Sequence, residues 1–236
     1  MADFLRESLE KLGLEPSDEQ CGQLNSFHKI LCEWNEFMNL TGITEYNEVV
    51  IKHFVDSLAV NCVYSFKKTD RVVDIGTGAG FPGIPLKIMY PETSFTLLDS
   101  LNKRIKFLDE VIKINGLEKI ETLHARAEDF ARNKAYREKF DVCVSRAVAN
   151  LSTLSEYCLP YVKVGGVFIS YKAGQLDDEL EASERAVKLL GGQIEQVHKL
   201  TLPDTDIDRT FVVIKKTAAT SGKYPRKAGM PSKEPL

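Results

Sequence analysis

The chain has 236 residues, 43% hydrophobic and 28% charged, with a formal net charge of −3. This is ordinary for a soluble globular protein with one medium-sized core, and no run approaches the ~20 apolar residues needed to span a bilayer. The five cysteines (Cys21, Cys32, Cys62, Cys143, Cys158) show no disulfide or metal-ligand spacing, and Met1 to Glu10 holds Asp3, Arg6, Glu7 and Glu10 rather than an apolar leader, so a cytoplasmic, metal-free protein is expected.

Residues 1–65 read as helices. Phe4 to Leu12 is a short one. Asp18 starts a longer one, with Cys21, Leu24, Phe27, Leu31, Trp34 and Met38 spaced three or four apart on one face. Asn47 can cap a third, with Val50, Phe54, Ser57 and Leu58 along one side.

Residues 66–216 alternate strand and helix. Strands are predicted over 71–75, 95–98, 120–123, 140–145, 167–171, 193–200 and 210–214. Helices are predicted from about Pro82 to before Pro91, over the stripe Leu101, Ile105, Leu108 and Ile112, and over 151–159 and 176–190. Gly165-Gly166 is read as the turn into the fifth strand. Strands joined by crossover helices mean a mostly parallel seven-stranded sheet covered on both faces, an α/β Rossmann-like core. No helix separates the last two strands, which predicts an antiparallel hairpin at one edge.

Charge is unevenly distributed. From Lys215 onward there are six basic residues and one acid, a net +5, on a body of net −8. The segment 217–236 has little to bury and is expected to be a flexible basic tail.

The first strand runs into Asp74-Ile75-Gly76-Thr77-Gly78-Ala79-Gly80-Phe81. Counting six from Gly76 gives Phe81, so the G-x-G-x-x-G dinucleotide fingerprint fails, which disfavours a dehydrogenase. The pattern is instead D-x-G-x-G-x-G, whose acid can hold backbone amides or a ligand ammonium. Asp99 ends the second strand, at the position suited to a ribose diol. Ala127-Glu128 follows the third strand, where a backbone amide and a carboxylate can read an adenine edge. A ligand of adenine, ribose and an amino-acid tail, without pyrophosphate, fits this set: S-adenosylmethionine.

The chain resembles the bacterial small-subunit ribosomal RNA guanine-N7 methyltransferases once called glucose-inhibited division protein B. The resemblance rests on Trp34-Asn35, Asn39-Leu40-Thr41, His53 to Leu58 as HFVDSL, and Asp74 to Pro85 as DIGTGAGFPGIP. It continues through Leu97 to Arg104, Arg126-Ala127-Glu128, Ser145-Arg146-Ala147 and the tail from Tyr224 to Leu236. It implies a class I methyltransferase fold with an N-terminal helical extension, and a cofactor site of Gly76, Gly78, Phe81, Asp99, Ala127, Glu128 and Arg146. It also implies methyl transfer to guanine N7 in 16S ribosomal RNA, naked or in a small-subunit particle, by a monomer.

The exit of the fourth strand agrees with that chemistry. It reads Ser145-Arg146-Ala147-Val148 rather than the N/D-P-P-F/Y of adenine amino-methylating enzymes. Cys143 and Cys158 sit mid-element and read as core, so no cysteine nucleophile for carbon methylation is offered. Guanine N7 has a free lone pair and no proton, so no catalytic acid, base or nucleophile is expected. Arg146 can bind the methionine carboxylate or guanine O6. His53 and His124 are read as structural. Lys223, Arg226, Lys227 and Lys233 are candidates for RNA phosphates, with Lys103, Arg104 and Lys106 adding charge near the cleft. The other readings are an adenosylmethionine-dependent methyltransferase acting on another RNA, a protein or a small molecule, and a non-catalytic ribosome-assembly factor.

Overall fold

Alternation along the central strands builds the layers. In the computed structural model, which describes residues 2–146, 149–174 and 176–236, β1 (Arg71–Ile75) turns Val72 to one apolar core and Val73 and Ile75 to another. The strands β2 (Ser94–Asp99), β4 (Phe140–Ser145), β5 (Val162–Lys172) and β7 (Asp208–Lys216) divide in the same way. Successive side chains point to opposite faces, so strands this apolar must be covered on both. With β3 (Ile120–His124) and β6 (Gly192–Thr201) they form one seven-stranded sheet, ordered β3-β2-β1-β4-β5-β7-β6, in which only β7 runs antiparallel to its neighbours.

The first face is covered by α1 (Ala2–Glu10), α2 (Asp18–Met38), α5 (Gly83–Met89) and α6 (Asn102–Ile114), and by the run between α2 and β1. That run is α3 (Tyr46–Val49), a π-helical stretch Val50–Val55, α4 (Asp56–Leu58) and a 3-10 turn. Residues 1–65 therefore share one core with the sheet: Phe27 lies 5.1 Å from Phe81 and 6.3 Å from Phe107, ring centre to ring centre. The α2 helix starts because Ser17 and Gln20 cap each other reciprocally, at 2.9 and 3.2 Å. The second face carries α7 (Ala127–Phe130), α8 (Leu151–Cys158), α9 (Asp177–Leu189) and the C-terminal segment with α10 (Met230–Lys233). Cys143 and Cys158 are buried there.

Three expectations need correction. The fifth strand begins at Val162 and passes through Gly165-Gly166, with a register shift opposite Phe140 and Val142. Gly166 is needed there because a Cβ would lie 2.6 Å from the Asp141 carbonyl oxygen. The terminal pair forms the expected antiparallel hairpin at one edge, with β6 outermost and β7 beside β5. The third helix is capped by Glu45, whose carboxylate accepts from the Glu48 amide at 2.8 Å, and a π-helical stretch interrupts its continuation. The segment 217–236 was expected to be loose, yet it lies on the body. Pro225 and Pro231 are buried, Thr220 is 5% exposed, and Tyr224 and Leu236 pack on the second core. Charge pairing and backbone hydrogen bonds hold a segment whose apolar content is small. Ala147 and Val148 of the turn after β4 lie outside the described residues.

Candidate active site

Parallel register brings the carboxyl ends of β1, β2 and β3 side by side, with Ile75 against Leu98 and Asp99 against His124. The chain after β1 must turn sharply into α5, and Gly76, Gly78 and Gly80 take left-handed φ values of 72°, 61° and 88° that favour glycine. Asp74, fully buried, holds the turn from below: its Oδ2 accepts from the Thr77 hydroxyl at 2.7 Å and the Gly83 amide at 2.9 Å. Gly83 has no room for a Cβ, which would lie 2.3 Å from Leu97 Cδ2 and 2.8 Å from that carboxylate. This close approach is the physical reason for glycine in the F-P-G-I-P run. Burial pushes the Asp74 carboxyl up to about 7, against the opposing pull of the Thr77 and Gly83 hydrogen bonds.

Asp99 organises the next corner. It is 2% exposed; one oxygen accepts from the Gly78 amide at 2.9 Å and from Arg104 at 3.2 Å, the other from the Leu101 amide at 2.9 Å. The Glu128 carboxylate accepts from the Gly229 amide at 2.8 Å, and the Ala127 carbonyl is held by the Tyr161 hydroxyl at 2.7 Å. Gly76, Asp99, Ala127 and Glu128 line one cleft of about 360 Å³, closed by Tyr157, Gly229 and Ser232.

A second cavity, about 710 Å³, lies at the ends of β4 and β5 and shares Ala149 with the cleft. Lys52, Arg146, Lys172 and Arg209 line it against Asp56 and Glu179. Asp56, 2% exposed, is its keystone: it accepts from Arg146 at 2.8 Å on one oxygen and from Arg209 at 2.6 Å on the other. The Arg146 guanidinium sits 5.1 Å from the Phe81 ring centre and also donates to the Lys52 carbonyl at 3.2 Å. His53 stacks on Phe81 at 4.4 Å. Its Nδ1 faces the Lys52 carbonyl at 3.0 Å and its Nε2 the Thr41 hydroxyl at 2.9 Å, a pairing that suits the neutral ring. Burial first, and then the Arg146 charge, pull its pKa down to about 4.

The family model for GidB, described as rRNA small subunit methyltransferase G, matches residues 20–209. The chain belongs to this family. It is 52% identical over 230 residues to the ribosomal RNA small subunit methyltransferase G of Lachnoclostridium phytofermentans, a match covering 98% of this chain and 95% of that one. To the protein of the same name from Alkaliphilus oremlandii it is 51% identical over 238 residues, covering 100% and 99%. Among solved structures, TYW2 of M. jannaschii in complex with AdoMet superposes with a TM-score of 0.55 at 15% identity, covering 73% of this chain and 77% of that one. The fold is therefore the Rossmann-like one of class I methyltransferases.

Of the residues expected at the cofactor in this GidB-family chain, Gly76, Asp99, Ala127 and Glu128 come together in the cleft. Gly78 joins them through its amide on Asp99. Phe81 and Arg146 do not line it. Phe81 is 6% exposed beneath the Arg146 guanidinium, and Arg146 faces the second cavity. Of the tail cations, Arg226 is bound to Glu156, while Lys223, Lys227 and Lys233 are exposed. Sequence reading passed over Asp56, Lys52, Lys172 and Arg209. The HFVDSL run contained Asp56 but gave no hint of a partner 153 residues away.

Proposed function

We propose that the protein transfers a methyl group from S-adenosylmethionine to N7 of a guanine in 16S ribosomal RNA. The observation that carries this reading is the meeting at Ala149 of two cavities, one bringing Asp99, Glu128 and the glycine turn together, the other setting Lys52, Arg146, Lys172 and Arg209 against Asp56 and Glu179. The cleft residues fit the cofactor. Asp99 and Glu128 offer carboxylates to a nucleoside, the glycine turn admits close approach, and buried Asp74 keeps one oxygen, Oδ1, without a hydrogen-bond partner. When bound, S-adenosylmethionine supplies an electrophilic sulfonium methyl.

The protein's part is to position the base. Arg146 and Arg209, fixed on Asp56, offer donors for an acceptor-rich base edge such as guanine O6, and Lys52 and Lys172 offer charge to phosphates. Both nitrogens of His53 are engaged and both oxygens of Asp56 carry arginines, so neither is a free general base. N7 requires none, because its lone pair is already exposed. Alignment of reactants alone can supply about 7–11 kcal/mol. An unstacked guanine, of the kind sequence-specific RNA proteins read, suits a cavity of this size.

The protein acts in the cytoplasm as a monomer, on 16S RNA either naked or within a small-subunit particle. Mass-spectrometric mapping of 16S RNA from cells lacking the protein, before and after treatment with the purified protein, tests the whole reading. A single new 7-methylguanosine is expected. A methylated exocyclic amine or a C5-methylpyrimidine overturns the N7 assignment, and comparing naked RNA with small-subunit particles identifies the substrate form.

A further inference from the structure

The C-terminal segment was expected to be mobile and remote from the cofactor. Instead it is tied down at both ends of its path and reaches the cleft. Arg137 donates to the Thr220 and Tyr224 carbonyls at 2.8 and 3.0 Å, and the Thr220 amide donates to Glu138 at 2.7 Å. Arg226 then wraps the Glu156 carboxylate: its backbone amide and its Nη2 each donate at 2.7 Å, to different oxygens, and its Nε lies 3.0 Å from one of them. Glu156, on α8, is fully buried. An unpaired carboxylate there would be strongly destabilising, so the position is built for this arginine. Further along, the buried Thr153 hydroxyl donates to the Pro231 carbonyl at 2.9 Å.

Between these anchors Gly229 takes φ 83°, and its amide meets the Glu128 carboxylate at 2.8 Å. Gly229 and Ser232 line the same cleft as Gly76 and Asp99. The orientation of a carboxylate facing the nucleoside end of the cleft is thus set by a backbone amide 101 residues away. These residues lie beyond the stretch that the family model matches, which stops at residue 209.

We propose that the segment Arg226–Ser232 is a wall of the cofactor cleft, anchored by Arg226 on Glu156, in which Gly229 is a positioning residue that aligns Glu128 and so sets how tightly the nucleoside is held. This rests on the cofactor reading above. Lys223 and Lys233, both exposed, lie outside this wall.

Calorimetry with S-adenosylhomocysteine tests it on three full-length proteins, wild type, Asp99→Ala and Gly229→Pro, and on a chain ending at Ala228. Proline at 229 removes the amide donor and cannot adopt the left-handed φ, while Arg226 stays on Glu156 in both tail variants and protects the fold. Both tail variants should weaken binding about tenfold, the scale of one lost hydrogen bond to a charged group. Without ligand, Gly229→Pro should melt close to wild type, whereas the chain ending at Ala228, which also loses the Pro231 carbonyl facing buried Thr153, should melt lower. In turnover assays the KM for S-adenosylmethionine should rise while kcat holds. If wild type binds and Asp99→Ala does not, but both tail variants bind within twofold of wild type, the wall is wrong and the cofactor site stands. If wild type itself takes up no S-adenosylhomocysteine, both fall.

Discussion

The two cavities at the carboxyl edge of the sheet are built on opposite principles. The proposed cofactor cleft gathers the ends of β1, β2 and β3 around a glycine turn and is closed by α8 and the C-terminal segment. Residues 74–83 form its turn, and Asp74 and Asp99 spend their oxygens on nearby amides, the Thr77 hydroxyl and Arg104. The second cavity is made of long charged side chains drawn from residues 43 to 209 around one buried carboxylate, Asp56. A site for one small molecule must be rigid and close-fitting, which glycine φ values and buried acids provide. If the second cavity takes a splayed base on a polyanion, as proposed, it needs charge and reach, which arginine and lysine provide.

The largest expected effect tests whether the cleft stands by itself. Asp99→Ala removes the acceptor of Gly78, Leu101 and Arg104 together and should weaken S-adenosylhomocysteine binding by about two orders of magnitude or more, since each hydrogen bond to a charged group is worth about 1.5–3 kcal/mol. RNA affinity, read by filter binding, should be unchanged. Parallel loss of both would merge the two regions.

Arg146→Ala is the next largest and decides to which cavity that residue belongs. Turnover on 16S RNA should fall ten- to a hundredfold, the range for one charged hydrogen bond, while cofactor affinity shifts less than threefold. A cofactor defect as deep as that of Asp99→Ala would return Arg146 to the cleft.

The exposed tail lysines sharpen the comparison from the RNA side. Replacing Lys223, Lys227 and Lys233 with Gln should flatten the slope of log K against log salt by up to about two, at ~0.7 per phosphate on single-stranded RNA. Cofactor binding should not move. An unchanged slope would leave RNA recognition to the second cavity and the α6 cations.

The smallest effect concerns the rigidity of the cleft. The Asp74 carboxyl is held near pH 7 in the folded protein against an ordinary value of 3.8, so the folded state keeps its proton across that window. Its contribution to stability is present below about pH 4 and is lost as pH rises toward 7. The Asp74→Asn protein should therefore gain in melting temperature over wild type between pH 4 and 7, and the difference should be flat above 7. A difference independent of pH would mean that the turn is held by an ionised carboxylate throughout.

Strand segments alternating with helical stripes, the glycine turn and the acids at successive strand ends are local patterns, and they were enough to indicate the sheet, the helices and the grouping of Gly76, Asp99, Ala127 and Glu128 in one cleft. Local pattern misread Gly165-Gly166, because a glycine at φ 90° and one that relieves a close approach inside a strand look the same as glycines in a turn. Composition misread the tail, because it is held by Arg226 on Glu156 and by backbone hydrogen bonds to Glu138 and Arg137, which no count of apolar residues detects. The sequence by itself determined the fold class and the glycine turn after β1, since both depend on residues that are neighbours along the chain. Only the tertiary structure decided that Asp56 joins Arg146 to Arg209, that Phe81 lies beneath Arg146, and that Gly229 reaches Glu128, because folding sets each of these contacts across 65 to 153 residues of chain.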